Sequence, residues 1–182
     1  KKNWEKLGTN LAKLHHNSND YFGLEYDNYI GDLNQSNTKC LSWSEFFINE
    51  RLIPQIKKNN FSKNDFKMFD KLFYVVEKNF PKENPSLLHG DLWHGNFMFS
   101  KDDCFVIDPA IYYGFREVDI AMSKLFGGFD QVFYDAYLYS FPLENDWEER
   151  IDLCNLYPLL VHLNIFGSSY YNSIIRILKR YI

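Results

Sequence analysis

Trp4, Leu7, Leu11 and Leu14 recur at steps of three and four residues, the spacing that gathers apolar side chains onto one stripe of an α-helix. Residues 17 to 41 break that rhythm. They are rich in Asn, Asp, Gly and Ser and read as a long irregular loop, a length that often carries function inside a compact domain. Ser42-Trp43-Ser44-Glu45 is a capping-box pattern opening a helix through Phe46, Phe47, Leu52 and Ile53, which Pro54 should kink or end. Ser62 with Asp65 caps another, with Phe66, Phe69, Leu72, Phe73, Val76 and Phe80 on one face, stopped by Pro81 and Pro85. Asn96–Phe99 and Cys104–Ile107 are short apolar runs around the polar turn Ser100-Lys101-Asp102-Asp103, a β-hairpin pattern. Helices follow near 117–126, 130–140, 147–165 and 167–181. Leu156 to Ile165 is apolar nearly all round, as in a central buried helix. The pattern predicts one mainly α domain over 1–182 with a small β-hairpin (α+β).

Composition narrows the function classes. Of 182 residues, 46% are hydrophobic and 19% aromatic, ample for a core. The net charge of −4 leaves no basic footprint and argues against a nucleic-acid partner. Cys40, Cys104 and Cys154 are far apart and form no CxxC pair, which fits buried thiols in a reducing cytoplasm rather than a disulfide scaffold or a zinc site. No apolar run approaches the ~20 residues of a membrane span, and no signal peptide is visible, so no membrane partner is expected.

His89-Gly90-Asp91, then Asn96, then Ile107-Asp108-Pro109 carry the candidate chemistry. Phosphoryl-transfer enzymes use an Asp to take the proton of the attacking hydroxyl. A following Asn and a later Asp hold Mg²⁺. In that order Asp91 is the base, and Asn96 and Asp108 are the metal ligands. Two hard oxygens plus nucleotide phosphates make a sensible Mg²⁺ site, so Mg²⁺ and ATP are the implied cofactors. The hairpin returns the chain beside its start and brings Asp108 toward Asn96. The catalytic loop and hairpin thus occupy about 87–110.

The wider runs His89-Gly90-Asp91-Leu92-Trp93-His94-Gly95-Asn96, Ile107-Asp108-Pro109-Ala110, Tyr112-Tyr113-Gly114-Phe115-Arg116-Glu117-Val118-Asp119 and Leu125-Phe126-Gly127-Gly128-Phe129 resemble the fructosamine kinase (ketosamine-3-kinase) family. That family belongs to the aminoglycoside-phosphotransferase-like branch of the protein-kinase-like superfamily. The similarity extends from Leu11-Ala12-Lys13-Leu14-His15 to His162-Leu163-Asn164-Ile165-Phe166-Gly167 and Tyr170. Two positions depart from the family pattern: Phe115 stands where it favours His, and His94 where it favours a small residue. The resemblance implies ATP-dependent phosphorylation of the 3-hydroxyl of ketosamines such as fructosamine or ribulosamine, a deglycation or protein-repair activity. The partners implied are ATP and a ketosamine or glycated amine. A kinase also needs a Gly-rich phosphate loop, a strand Lys and a helix Glu. None has a candidate here, so the expectation is the C-terminal lobe of a protein-kinase-like fold with the N-lobe absent, weakly active or inactive alone.

Other residues receive roles by position. Trp93 is a candidate wall of the acceptor site, with Leu92 beside it as a second substrate contact. His89 is expected to support the loop through backbone bonds. Asp119 either braces the catalytic loop through backbone N–H groups or simply favours its helix dipole. Arg116 and Glu117 are a candidate ion pair fixing the loop after Asp108. His94 reads as an exposed loop His. His162 and Asn164 are expected to tie helices together or border the acceptor pocket. The alternatives are a phosphotransferase for an aminoglycoside- or choline-type acceptor, a non-catalytic lobe, and metal-dependent hydrolysis.

Overall fold

The computed structural model describes residues 1–101 and 103–182. In chain order the elements are α1 (Lys2–His15), a ribbon of β1 (Asn28–Ile30) and β2 (Leu33–Gln35), then a helical rod. The rod comprises α2 (Trp43–Phe46), a π-helical turn (Phe47–Leu52) and α3 (Ile53–Ile56), and α4 (Lys63–Asn79) follows it. Next come β3 (Ser86–Leu88), β4 (Phe97–Phe99), β5 (Cys104–Val106) and β6 (Tyr112–Gly114). The chain closes with α5 (Glu117–Leu125), α6 (Gln131–Ser140), α7 (Trp147–Phe166), a 3₁₀ turn (Ser168–Tyr170) and α8 (Tyr171–Tyr181).

Two apolar clusters organise these elements. The larger surrounds α7, whose Leu156, Leu159, Leu160 and Val161 are buried among the rod, α4 and α8. Each such side chain contributes about 1.5–3 kcal/mol on leaving water. The smaller cluster joins α1 to α6 through Leu7, Leu11, Phe133 and Tyr137, with Leu92 and Ile120 beneath. The α1 and α6 backbones approach so closely that a Cβ at Gly8 would stand 2.3 Å from the Phe133 carbonyl oxygen, so only glycine fits.

The predicted capping box is present in full at Ser62 and Asp65. At Ser42 the hydroxyl accepts from the Glu45 N–H, as the motif predicts. Three expectations need correction. Residues 17 to 41 are not wholly irregular, since they hold the β1–β2 ribbon with Asn28 opposite Gln35. Pro54 does not end the rod at once but sits in the first turn of α3, directly after the π-helical turn. The Glu50 carbonyl, which Pro54 has no N–H to reach, accepts instead from the Arg51 guanidinium (3.1 Å). The last predicted helix divides into the 3₁₀ turn and α8.

β4 and β5 form the predicted hairpin, with Phe97 opposite Val106 and Phe99 opposite Cys104. Asp102 of its turn lies outside the described residues. A second antiparallel ribbon, β3 with β6, pairs Leu88 with Tyr112. The segment His89–Asn96 therefore leaves one ribbon and enters the other, and Ile107–Ile111 makes the return crossing.

Candidate active site

The two crossings are bonded to each other. The Ile107 N–H donates to the Asn96 carbonyl (3.0 Å) and the Ala110 N–H to the His89 carbonyl (2.8 Å). The His89 ring bonds the Ile107 carbonyl through Nε2 (2.9 Å), and its Nδ1 accepts from the Asp91 N–H (3.3 Å). Gly90 sits where the strands of chain cross. Its φ is +81°, and a Cβ would stand 2.1 Å from the Ala110 carbonyl oxygen, so a side chain is excluded twice over. Asp108, at φ +51°, occupies the left-handed region on the return crossing. Asp tolerates that region better than most residues, and strain of this kind clusters at functional sites.

Asp119 holds the outgoing crossing from below. Its carboxylate accepts from the His89 N–H (2.7 Å) and the Gly90 N–H (2.9 Å), which resolves its two possible roles in favour of a brace. His15 donates to it through Nε2 (3.1 Å) and bonds the Tyr137 hydroxyl through Nδ1 (2.7 Å). Burial acts to raise the Asp119 pKa. The His15 bond and charge, the His89 charge and the Gly90 N–H outweigh it and hold the carboxyl below its ordinary value. The sequence motif gave no hint of His15 or Tyr137, whose partners lie over 100 positions away in the chain.

Asp91 is partly buried between the crossings. The Asn96 Nδ2 group donates both to its carbonyl (2.9 Å) and to Oδ2 (3.0 Å), so the five-residue spacing closes a small ring. Burial raises the Asp91 pKa, opposed by the charges of His89 and His162 and by the Asn96 bond. The Asn96 side-chain oxygen and both Asp108 carboxylate oxygens have no partner among the described residues, and Asp108 is exposed. These oxygens are hard donors on adjacent backbone, because Asp108 follows the Asn96–Ile107 bond by one residue. Among the described residues no group of three or more His, Cys, Asp or Glu side chains is placed to hold a metal.

Trp93 lies two residues past Asp91 and is 37% exposed, with its ring edge-on to Phe126 at 6.1 Å. Phe126 packs on His162 (4.8 Å), which also contacts Tyr170 (5.1 Å) and Phe166 (5.3 Å). The His162 Nδ1 group is turned inward onto the Pro158 carbonyl (2.7 Å), a bond that orients the ring. An aromatic wall thus runs from Trp93 through Phe126 to α7 and the 3₁₀ turn, with His162 near Asp91. Leu92 does not join it. It is fully buried in the α1–α6 cluster, since the residue between Asp91 and Trp93 points to the opposite side of the loop. Asn164 ties α7 to α3 and its exit, bonding Gln55 (2.7 Å) and Asn59.

The anticipated Arg116–Glu117 pair does not form. The Arg116 guanidinium forks onto Glu83 (3.0 and 2.7 Å) and reaches the Phe141 and Pro142 carbonyls. Glu117 receives Arg150 of α7 instead (2.8 and 2.5 Å). Adjacent residues at a helix start point apart, and each found a partner distant in sequence. Sequence reading also missed Gln35 and Asn28. Gln35 Nε2 donates to the Ala110 carbonyl (3.1 Å) and Asn28 Nδ2 to the Ile111 carbonyl (2.8 Å), so the β1–β2 ribbon pins the chain just beyond Asp108.

Among the described residues no helix is long and apolar enough to cross a membrane. A "Probable ketoamine kinase" of Enterococcus faecium is 42% identical over 185 residues, covering 96% of this chain and 66% of the relative. "Protein-ribulosamine 3-kinase, chloroplastic" of Arabidopsis thaliana is 38% identical over 188 residues, covering 99% of this chain and 57% of the relative. The solved structure of a fructosamine-3-kinase-like protein from Thermobifida fusca superposes with a TM-score of 0.92 at 34% identity, covering 98% of this chain and 64% of that one. The chain thus spans about two thirds of the length of these relatives or less. The family model for fructosamine kinase matches residues 1–182, and the chain belongs to the fructosamine kinase family.

Proposed function

We propose that the protein bearing this chain phosphorylates the 3-hydroxyl of ketosamines with ATP, with Asp91 as the base. The observation that carries this reading is the Asp91–Asn96 ring. The Asn96 amide N–H groups are spent on Asp91, which leaves the amide oxygen and the neighbouring Asp108 carboxylate without a partner among the described residues. The relatives named ketoamine kinase and ribulosamine 3-kinase supply the acceptor class.

On this reading Asp91 takes the proton of the 3-hydroxyl as that oxygen attacks the γ-phosphorus and the bond to the ADP oxygen breaks. Asn96 Oδ1 and the Asp108 carboxylate fit a Mg²⁺ ion in ligand hardness and number, with phosphate oxygens and water completing its shell. A Mg²⁺ ion held by these two residues would supply positive charge beside the transferring phosphoryl group. The chain's own work is positioning: Asp119 and His89 fix the base, and the Ile107 and Ala110 bonds fix Asp108. The Trp93 face suits the apolar side of a sugar.

The test is ADP release from Mg-ATP by the complete gene product with a synthetic fructosamine. Asp91→Asn should lower turnover by roughly 10²–10⁴-fold, the usual share of a general base. A loss below threefold rejects Asp91 as the base. Tight Mg-ATP binding without turnover of any ketosamine rejects the acceptor and keeps the kinase.

A further inference from the structure

Arg51 is a buried cation that no acid meets. It sits in the π-helical turn, wholly shielded from solvent, and among the described residues its guanidinium forms no ion pair. Its Nε has no hydrogen-bond partner there either. The charge rests on the rings of Tyr112 (3.9 Å), Phe46 (4.4 Å) and Tyr157 (5.4 Å) and on three neutral oxygens. These are the Ser36 carbonyl, the Glu50 carbonyl (3.1 Å) and Asn37 Oδ1 (2.7 Å). A cation held in this way is costly to bury, and such groups are retained where they fix something else.

A guanidinium only donates, so it admits one orientation of the Asn37 amide, with the oxygen toward Arg51. Asn37 Nδ2 then faces Asn28 Oδ1 (2.9 Å) and the Tyr26 carbonyl (3.1 Å). Asn28 Oδ1 also takes Gln35 Nε2 (2.8 Å). With its oxygen between two donors, Asn28 turns Nδ2 to the Ile111 carbonyl (2.8 Å), while Gln35 Nε2 reaches the Ala110 carbonyl (3.1 Å). The Tyr157 hydroxyl holds Gln35 from its other end, at Oε1 (2.8 Å). An inverted Asn28 would set oxygen against the Ile111 carbonyl and strand two donors. The bonds from Arg51 therefore run in one direction and end two and three residues past Asp108. Asp108 stands at φ +51°, a conformation that persists only where its surroundings impose it.

We propose that Arg51 is a positioning residue for Asp108. Its charge sets the polarity of the Asn37, Asn28 and Gln35 amides, and these hold the backbone that aims the Asp108 carboxylate at a divalent cation. The inference rests on the reading of Asp108 as a metal ligand given above. Groups that orient a ligand without touching the ion govern metal affinity by about 10- to 100-fold.

The deciding variant is Asn37→Asp in the complete gene product. A carboxylate keeps the Arg51 bond and meets its charge, but has no N–H for Asn28 and sets oxygen against oxygen there. In the metal-free protein, hydrogen exchange at the Ile107 and Ala110 N–H groups, which tie the two crossings, should rise roughly tenfold or more while α4 changes by less than about twofold. Calorimetric titration of Mg²⁺ into the protein with a non-hydrolysable ATP analogue should show binding weaker by roughly ten- to hundredfold. Arg51→Met frees Asn37 to turn and should reproduce both changes. Arg51→Lys keeps a cation beside Asn37 and should restore most of the affinity. Unchanged exchange at Ile107 and Ala110, or exchange raised throughout the molecule, overturns the positioning role and leaves the kinase reading intact. Faster local exchange with unchanged Mg²⁺ affinity overturns Asp108 as the metal ligand, and with it the reading on which the inference rests.

Discussion

On the reading proposed above, Asp91 must be ionised when the acceptor arrives, and burial works against this. Its pKa lies above the ordinary 3.8, raised by desolvation against the pull of His89, His162 and Asn96. The pH profile of kcat/KM should therefore lose activity on the acid side at a pH above 3.8, as Asp91 takes up a proton before reaching its ordinary range. The same shift fixes a stability effect of definite sign. A carboxyl whose folded pKa is raised favours the fold when protonated, and that contribution is lost as pH rises through the folded value. At neutral pH the ionised Asp91 is a burden on the fold. Asp91→Asn should melt at or above the wild-type temperature while losing its turnover, measured by calorimetry beside the kinetic assay. Asp119 runs the other way. Its pKa is lowered, so its contribution is complete above about 3.8 and is lost as pH falls through the folded value. Asp119→Ala should cost about 3–5 kcal/mol at pH 7, because it leaves His15 and two buried N–H groups without their acceptor. Urea unfolding at pH 7 and at about pH 2 checks both points, with the deficit shrinking at the lower pH. The Asp91–Asn96 ring and the return of the chain to Asn96 just before Asp108 were legible in the sequence because one short loop and one hairpin determine them. His89 was legible for the same reason. Leu92 was misread because adjacency to Asp91 says nothing about which side of the loop a residue faces.

At the level of elements, the candidate metal loop owes its position to a ribbon that the hydrophobic pattern does not reveal. β1 and β2 are three residues each, too short for a period of two to register. Their value lies in polar side chains. Gln35 is 1% exposed and gives Nε2 to Ala110 and Asn28 while its Oε1 accepts from the Tyr157 hydroxyl (2.8 Å). Asn37 of the following segment is held by Arg51 Nη2 (2.7 Å), and Arg51 itself is wholly buried against the rings of Tyr112 and Phe46. The π-helical turn thus offers its cation to the ribbon, and the ribbon offers amides to the chain beyond Asp108. Gln35→Ala should cost about 1–3 kcal/mol from the buried groups it strands, and should weaken Mg²⁺-dependent turnover beyond what that loss explains. A Mg²⁺ titration of kcat/KM at a temperature where both proteins are folded separates the two effects. The capped helices present the opposite case. Ser62 and Asp65 are three apart in the chain and bond each other's backbone, so the sequence displays the capping device, to which the Tyr171 hydroxyl adds a bond onto Asp65 (2.9 Å). Ser62→Ala should cost about 1 kcal/mol and leave turnover unchanged, as shown by denaturant midpoints and initial rates.

Across the whole molecule, helix order and the buried character of α7 follow from periodicity, whereas the links that fix the helices to one another do not. Arg116 joins the segment before β3 to the end of α6 by way of Glu83 and two carbonyls. Arg150 joins α7 to α5 through Glu117 and reaches the Asn145 carbonyl (3.0 Å). Both pairs span 33 positions, and both are shielded from solvent. No local rule marks which of 24 acids a given arginine will meet at that range, so an adjacent pair such as Arg116 and Glu117 is a natural but mistaken reading. A shielded pair costs desolvation on both sides, and its net contribution to stability is small. Removing one partner exposes the full penalty of the other. Glu117→Ala should therefore destabilise the fold by about 3–5 kcal/mol, whereas the double change Glu117→Leu with Arg150→Met should recover most of that loss. Denaturant midpoints of the wild type, Glu117→Leu, Arg150→Met and the double variant form a closed cycle. A double variant as unstable as the sum of the singles would mean that Arg150 earns its place through the Asn145 carbonyl and not through Glu117. If instead the double variant is stable, its turnover decides what the pair is for. α5 carries Asp119, the brace beneath the catalytic loop, and α7 carries Tyr157 and His162 beside Asp91. An apolar replacement keeps the two helices together but loosens the register that a bidentate fork imposes. A kcat that falls in a fully folded double variant would locate the function of the Glu117–Arg150 pair in aligning base and acceptor wall.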